Sequence, residues 1–108
     1  MSKKKEYPVR GEPAGPPIHP GEILREDVLP ALRKSVTVAA RELRVARQTL
    51  HRILAETHPV TPEMAVRLGK FCGNGPGIWI RLQAEHDVWH AAKRLRKELA
   101  SIPTQHAA

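Results

Sequence analysis

Val36-Thr37-Val38-Ala39-Ala40-Arg41-Glu42-Leu43 and Arg47-Gln48-Thr49-Leu50-His51-Arg52-Ile53-Leu54-Ala55, joined by Arg44-Val45-Ala46, form the stretch on which the fold turns. In the first segment Ala39, Ala40 and Leu43 share one side of a helical period; in the second, Leu50, Ile53 and Leu54 do. Two short amphipathic helices three residues apart have the spacing of a helix-turn-helix. In that motif the first helix braces the second, whose outer face enters the major groove of DNA. The inward positions Ala40, Val45, Leu50 and Ile53 are small or apolar, as a steep crossing requires, and Ala40 is expected at the closest approach. The outward positions are Arg47, Gln48, Thr49, His51 and Arg52. Arginine can fork onto guanine, glutamine onto adenine, and threonine can meet a phosphate or a thymine methyl. A polar helix face alone reads equally well as solvated surface. The bracing helix, the spacing and the local charge tip the reading towards DNA. Between Lys34 and Arg52 stand five basic residues (Lys34, Arg41, Arg44, Arg47, Arg52) against one acidic residue, Glu42.

Upstream, Pro20 suits a first helical turn, where its missing N–H costs nothing. Ile23, Leu24, Val28 and Leu32 then recur at helical spacing, with Glu22, Arg25 and Glu26 outward, and Pro30 is expected to kink or shorten this helix. Residues 1–17 hold four of the ten prolines, Gly11, Gly15 and three consecutive lysines. That composition cannot bury a core and predicts a flexible basic arm, which either leads into residues 18–108 without a task or touches DNA phosphates or the partner. Glu6 and Glu12 in the arm favour the former. Downstream, Thr61-Pro62-Glu63 supplies a capping hydroxyl, a proline at the first helical position and an acid for the dipole. Met64, Ala65, Leu68, Phe71 and Cys72 follow as a buried stripe, and Gly73-Asn74-Gly75 ends it. Pro76 opens a fifth helix, expected to run to about Ala100 before Pro103. No segment alternates with period two for long enough to form a strand. The expectation is an all-α fold of five helices with a long C-terminal helix.

Composition narrows the function. The net charge is +7, from 18 basic and 11 acidic residues, and the isoelectric point is about 10.2, which points to a polyanionic partner. No apolar run approaches the roughly 20 residues of a membrane span, and MSKKKEYPVR has no apolar stretch behind its lysines, unlike a secretory signal. The single cysteine, Cys72, forms no internal disulfide and suits a reducing cytoplasm; on its apolar stripe it reads as core rather than nucleophile. Ser35 and Ser101 have no base and orienting partner, so no catalytic site is expected, nor any cofactor. His86 and His90 stand four apart on one helical face, as metal ligation would require. With no further ligand nearby in sequence, and Glu85 and Asp87 pointing elsewhere, they read as surface histidines and no metal is expected.

Four stretches together resemble the HigA/VapI group of antitoxins within the XRE (lambda-repressor-like) helix-turn-helix superfamily. They are Ile18-His19-Pro20-Gly21-Glu22-Ile23-Leu24; Ala39-Ala40-Arg41-Glu42-Leu43; Val60-Thr61-Pro62-Glu63-Met64-Ala65-Val66-Arg67-Leu68; and Trp79-Ile80-Arg81-Leu82-Gln83-Ala84 leading to Asp87. The resemblance covers about two thirds of the chain. It implies a homodimer that binds a palindromic operator, represses its own operon and neutralises a RelE-like ribonuclease toxin. It places Arg47, Gln48, Thr49, His51 and Arg52 on the recognition face and Thr37 near the DNA backbone. The chain departs from the pattern in three places. Arg44 stands where the group usually has a left-handed glycine, a substitution costing roughly 1–2 kcal/mol, so the turn differs or Arg44 gains a phosphate contact. Ala46 replaces a capping Ser or Thr, at about 1 kcal/mol, and Val36 replaces a polar residue that often touches phosphate. The chain also has no acidic block, so a toxin would be held by shape and apolar contact more than by opposite charge.

Val88, Ala92, Leu95, Leu99 and Ile102 follow the four-three spacing of a helical seam. This seam can fold back on its own domain, join a second subunit or meet the toxin. Dimerisation is the expectation, because such operators are read by symmetric pairs. Lys93, Arg94, Arg96 and Lys97 point away from it, as a solvated face or a secondary DNA contact. The alternative for the whole chain is a stand-alone repressor without a toxin partner, or an interaction module that no longer reads DNA.

Overall fold

A computed structural model describes residues 15–107; residues 1–14, most of the arm predicted over 1–17, lie outside the described residues. Among the described residues the chain forms six helices and no strand. Helix α1 is continuous over residues 20–32, with α-helical ends Pro20–Ile23 and Leu29–Leu32 around a π-helical turn, Leu24–Val28. Its start is fixed by His19, whose Nδ1 accepts the Gly21 N–H at 2.9 Å, and by Pro20 in the first turn. Pro30, expected to kink or shorten this helix, does not end it; the regular α-helical turn is instead interrupted just before it. A proline has no N–H to donate, and its ring crowds the carbonyl four residues back. The chain widens just before it, with the Leu29 N–H bonding the Leu24 carbonyl five residues back. That wide turn also shifts the inward face. Leu24 and Leu29 are buried, whereas Leu32, expected inside, is 43% exposed.

Helices α2 (Val36–Leu43) and α3 (Arg47–Leu54) stand where the sequence placed them, α3 ending one residue before the expected Ala55. Ser35 caps α2, its Oγ accepting the Val38 N–H at 3.1 Å. Ala39, Ala40 and Leu43 of α2 and Leu50, Ile53 and Leu54 of α3 are buried in one core. Full burial of Leu50 or Ile53 is worth about 1.5–3 kcal/mol each. Helix α4 (Pro62–Cys72) begins on Thr61, whose Oγ1 accepts the Met64 N–H at 3.2 Å, and ends at Gly73, with φ 77°. Phe71 and Cys72 close the stripe half-buried against the core, and burial pushes the Cys72 thiol pKa up. The expected fifth helix is interrupted at Leu95 (φ −97°, ψ 15°) into α5 (Gly77–Arg94) and α6 (Arg96–Ser101). Trp79 of α5 is buried, its indole N–H donating to Asn74 Oδ1 at 3.1 Å.

Two glycines let backbones meet. A methyl on Gly21 would overlap the Ile53 carbonyl, so α1 lies directly against the end of α3. A methyl on Gly69 would overlap Gly75 and the Pro76 nitrogen, where the chain between α4 and α5 crosses over α4. Among the described residues no helix is long and apolar enough to cross a membrane, and no group of three or more His, Cys, Asp or Glu side chains is placed to hold a metal ion.

Candidate nucleic-acid interface

Buried Leu50, Ile53 and Leu54 fix the rotation of α3, and the opposite side carries Arg47, Gln48, His51 and Arg52 in solvent, with Thr49 half-buried beside them. Thr37, exposed in the first turn of α2, is brought to this face: Arg47 Nη1 donates to its Oγ1 at 3.4 Å. The two residues are ten apart in sequence and meet because the turn folds the starts of α2 and α3 together. Arg44 adopts the left-handed conformation (φ 60°, ψ 45°) and is exposed. The left-handed turn is therefore made without a glycine. The Arg44 N–H reaches the Arg41 carbonyl at 3.2 Å and the Val45 N–H the Ala40 carbonyl at 3.0 Å. Ala46 starts α3 with no side-chain cap, as its residue type requires.

Sequence reasoning missed two arginines. Arg67 of α4 donates to the Leu43 carbonyl at 2.9 Å. Arg25, expected as a solvated outward residue, donates from Nη1 to the Leu54 carbonyl and to Glu56 Oε2 at 3.2 Å, and from Nε to Glu26 Oε2 at 2.9 Å. Its hydrogen bonds to the Glu26 and Glu56 carboxylates raise its pKa further. Neither partner carbonyl is a side chain, so residue types gave no signal. The charge count also changes, since Lys34 Nζ pairs with Glu42 Oε1 at 2.8 Å.

No protein-family model matches the chain. Individual relatives do. An HTH-type transcriptional regulator of Haemophilus influenzae is 36% identical over 88 residues, covering 80% of this chain and 82% of the relative. Virulence-associated protein I of Dichelobacter nodosus is 35% identical over 80 residues, covering 70% and 74%. The Pseudomonas aeruginosa antitoxin HigA, solved with the higBA promoter, superposes with a TM-score of 0.79 at 33% identity, over 83% of this chain and 99% of that one. The chain belongs to the HigA/VapI family of XRE-type antitoxins.

Within this HigA/VapI chain the seam residues Val88, Ala92, Leu95 and Leu99 are exposed, Val88 by 66% and Leu99 by 47%, and Ile102 with them. The seam is not folded back on its own core. Beside it Pro17, Ala84, Glu85, Val88, Trp89 and Ala92 line a shallow groove of about 470 Å³ whose surface is mostly apolar. The histidines are less isolated than the sequence suggested. His86 lies edge-on to His19, ring centroids 4.8 Å apart, and 4.4 Å from the His90 ring. Asp87, expected to point elsewhere, meets His86 Nδ1 at 3.2 Å and accepts from Gln83 Nε2 at 2.9 Å. The cluster joins the start of α1 to α5.

Proposed function

We propose that this chain is a cytoplasmic, sequence-specific DNA-binding antitoxin that represses its own operon and neutralises a RelE-like ribonuclease toxin. The observation that carries the DNA half is the face of α3. Arg47, Gln48, His51 and Arg52 stand in solvent on a helix whose rotation is fixed by three buried side chains, with Thr37 and left-handed Arg44 beside it. The promoter complex of the Pseudomonas aeruginosa HigA supports it by kinship. In this reading Arg47 and Gln48 contact base edges, Thr49, His51 and Arg52 complete the recognition surface, and Thr37 and Arg44 meet phosphates. The chain acts as a homodimer through Val88, Ala92, Leu95 and Leu99, which places two recognition helices on one palindrome. The toxin half rests on family membership, and its chemistry follows from charge: a basic chain without an acidic block would hold a basic toxin through apolar contact.

The test is binding to a duplex taken from immediately upstream of the chain's own reading frame. Arg47→Ala and Gln48→Ala should each cost about 1–3 kcal/mol of specific affinity with circular dichroism preserved. Unchanged affinity in both variants would remove the assignment. Copurification of the expressed locus tests the toxin half; a chain recovered without a second protein from that locus would favour a stand-alone repressor.

A further inference from the structure

Both helices of the motif end on a carbonyl held by a guanidinium group from outside the motif. The last carbonyls of any α-helix have no partner within it. In α3 the turn that follows serves three of them. The His51 carbonyl takes the Ala55 N–H at 2.9 Å, Arg52 takes the Thr57 N–H at 2.9 Å and its hydroxyl at 3.2 Å, and Ile53 takes the Glu56 N–H at 3.0 Å. The Leu54 carbonyl is left for Arg25 of α1. In α2 the N–H groups of Arg44 and Val45 turn back to Ala40 and Arg41, and the Leu43 carbonyl goes to Arg67 of α4 at 2.9 Å. Each cation lies at the negative end of a helix dipole, where charge and donor geometry act together.

The placement decides what these bonds do. Leu43 is the last residue before the turn, so Arg67 anchors the point from which α3 departs. Leu54 is the last residue of α3, so Arg25 anchors the point at which it ends. Arg25 is itself pinned by Glu26 on its own helix and by Glu56 just after α3, and the Gly21–Ile53 approach keeps α1 against the same end. The recognition helix is thereby tied at entry and exit to two different helices of the body.

We propose that Arg25 and Arg67 are positioning residues for base readout, setting the angle at which α3 meets the groove, and are not ligands of DNA phosphate. This rests on the DNA-binding reading above. A positioning role has a signature distinct from a phosphate contact. Base readout needs a side chain within hydrogen-bond distance of one base edge, so a tilt of α3 weakens specific binding and spares binding to any other sequence. A lost phosphate contact weakens both and lowers the slope of log affinity against log salt by about 0.9.

The experiment compares wild type, Arg25→Gln and Arg67→Gln on two probes, the duplex from upstream of the reading frame and a scrambled duplex of equal length and composition. Each variant should lose about tenfold on the upstream duplex, the size of one charge-assisted hydrogen bond. Affinity for the scrambled duplex and the salt slope should stay unchanged. Arg67→Lys, which keeps the charge but not the fork, takes the place of a glutamine variant that is unfolded by circular dichroism at the assay temperature. Equal losses on both duplexes with a shallower salt slope would make these residues phosphate ligands and overturn the proposal. So would unchanged specific affinity, or loss of the fold in the lysine variant as well. Failure of the DNA-binding reading looks different, because the wild type itself would then fail to discriminate the two duplexes; the positioning role would fall with it.

Discussion

Arg44 and Ala46 flank Val45 in the turn, and each is the less stable choice for its backbone. A non-glycine residue at φ 60° carries a steric cost, and a helix begun on alanine leaves an orphan amide that a hydroxyl would satisfy. Arg44→Gly should leave stability unchanged or raise it by up to about 1 kcal/mol, and should lower operator affinity if the guanidinium meets a phosphate. Ala46→Ser should add about 1 kcal/mol, or roughly 4–8 °C in Tm for a domain of this size. Urea titration and duplex binding on the same preparations check both, and an Arg44→Gly variant that binds as tightly as wild type would deny that residue a DNA role. His19 gives a second prediction. Its Nδ1 accepts the Gly21 N–H, which a proton there would abolish. Burial holds its pKa below the ordinary 6.5, and His86 adds to the effect, with a smaller contribution from Arg25; Glu56 and Asp87 oppose it. The folded state therefore binds fewer protons than the unfolded chain. The contribution of His19 to stability is present above the unfolded value of 6.5 and is lost as pH falls from there towards the lower folded value. Unfolding measured between pH 7.5 and 5.5 should show this loss. His19→Asn, which keeps a cap acceptor without titrating, should flatten it; an equal slope in the variant would place the pH dependence elsewhere.

At the scale of elements, α2, the turn, α3 and the start of α4 were legible because each depends on local signals. Buried positions recur at helical spacing, Thr61 accepts an amide three residues on, and Gly73 ends α4. The misreadings share a different cause. Periodicity assumes a constant 3.6 residues per turn, and the wide turn before Pro30 adds one residue, so that Leu29 is buried and Leu32 is exposed while Val28 stays half-buried against the core. The break at Leu95 carries neither proline nor glycine, so no residue type announced it. The arginine bonds to Leu43 and Leu54 join positions 24 and 29 residues apart through backbone carbonyls, which every residue has. On the candidate DNA-binding face the outward set was readable by subtraction from the core, and the Thr37–Arg47 approach was not. The exposed seam yields the prediction at this scale. Leu95→Asp with Leu99→Asp should give a folded monomer that binds the operator much more weakly, since each half-site is then occupied alone. An unchanged sedimentation coefficient would place the interface elsewhere.

At the scale of the whole molecule, the excess of basic charge is divided between internal and external work. Arg25, Arg67 and Lys34 have partners within the chain, leaving Arg41, Arg44, Arg47 and Arg52 as the exposed cations of the motif. A dimer presents that set twice, within the range of about 6–10 phosphates for which affinity falls roughly 10³–10⁵ between 50 and 200 mM salt. A toxin complex held by apolar burial should change little over the same titration, because screening acts on charge. Comparable salt dependence for both complexes would show that the toxin is held by charge.

The crossings at Gly21 and Gly69 have a consequence for how this chain can vary. Every alternative residue adds a Cβ, and at both positions that atom would overlap backbone, which has no rotamer to turn away. Gly73 is different: its φ is positive, but the space around it is open, and asparagine tolerates that conformation. A saturation library selected for folded protein should therefore return wild type alone at positions 21 and 69 and admit asparagine at 73. Genetic drift is closed at the first two sites and open at the third.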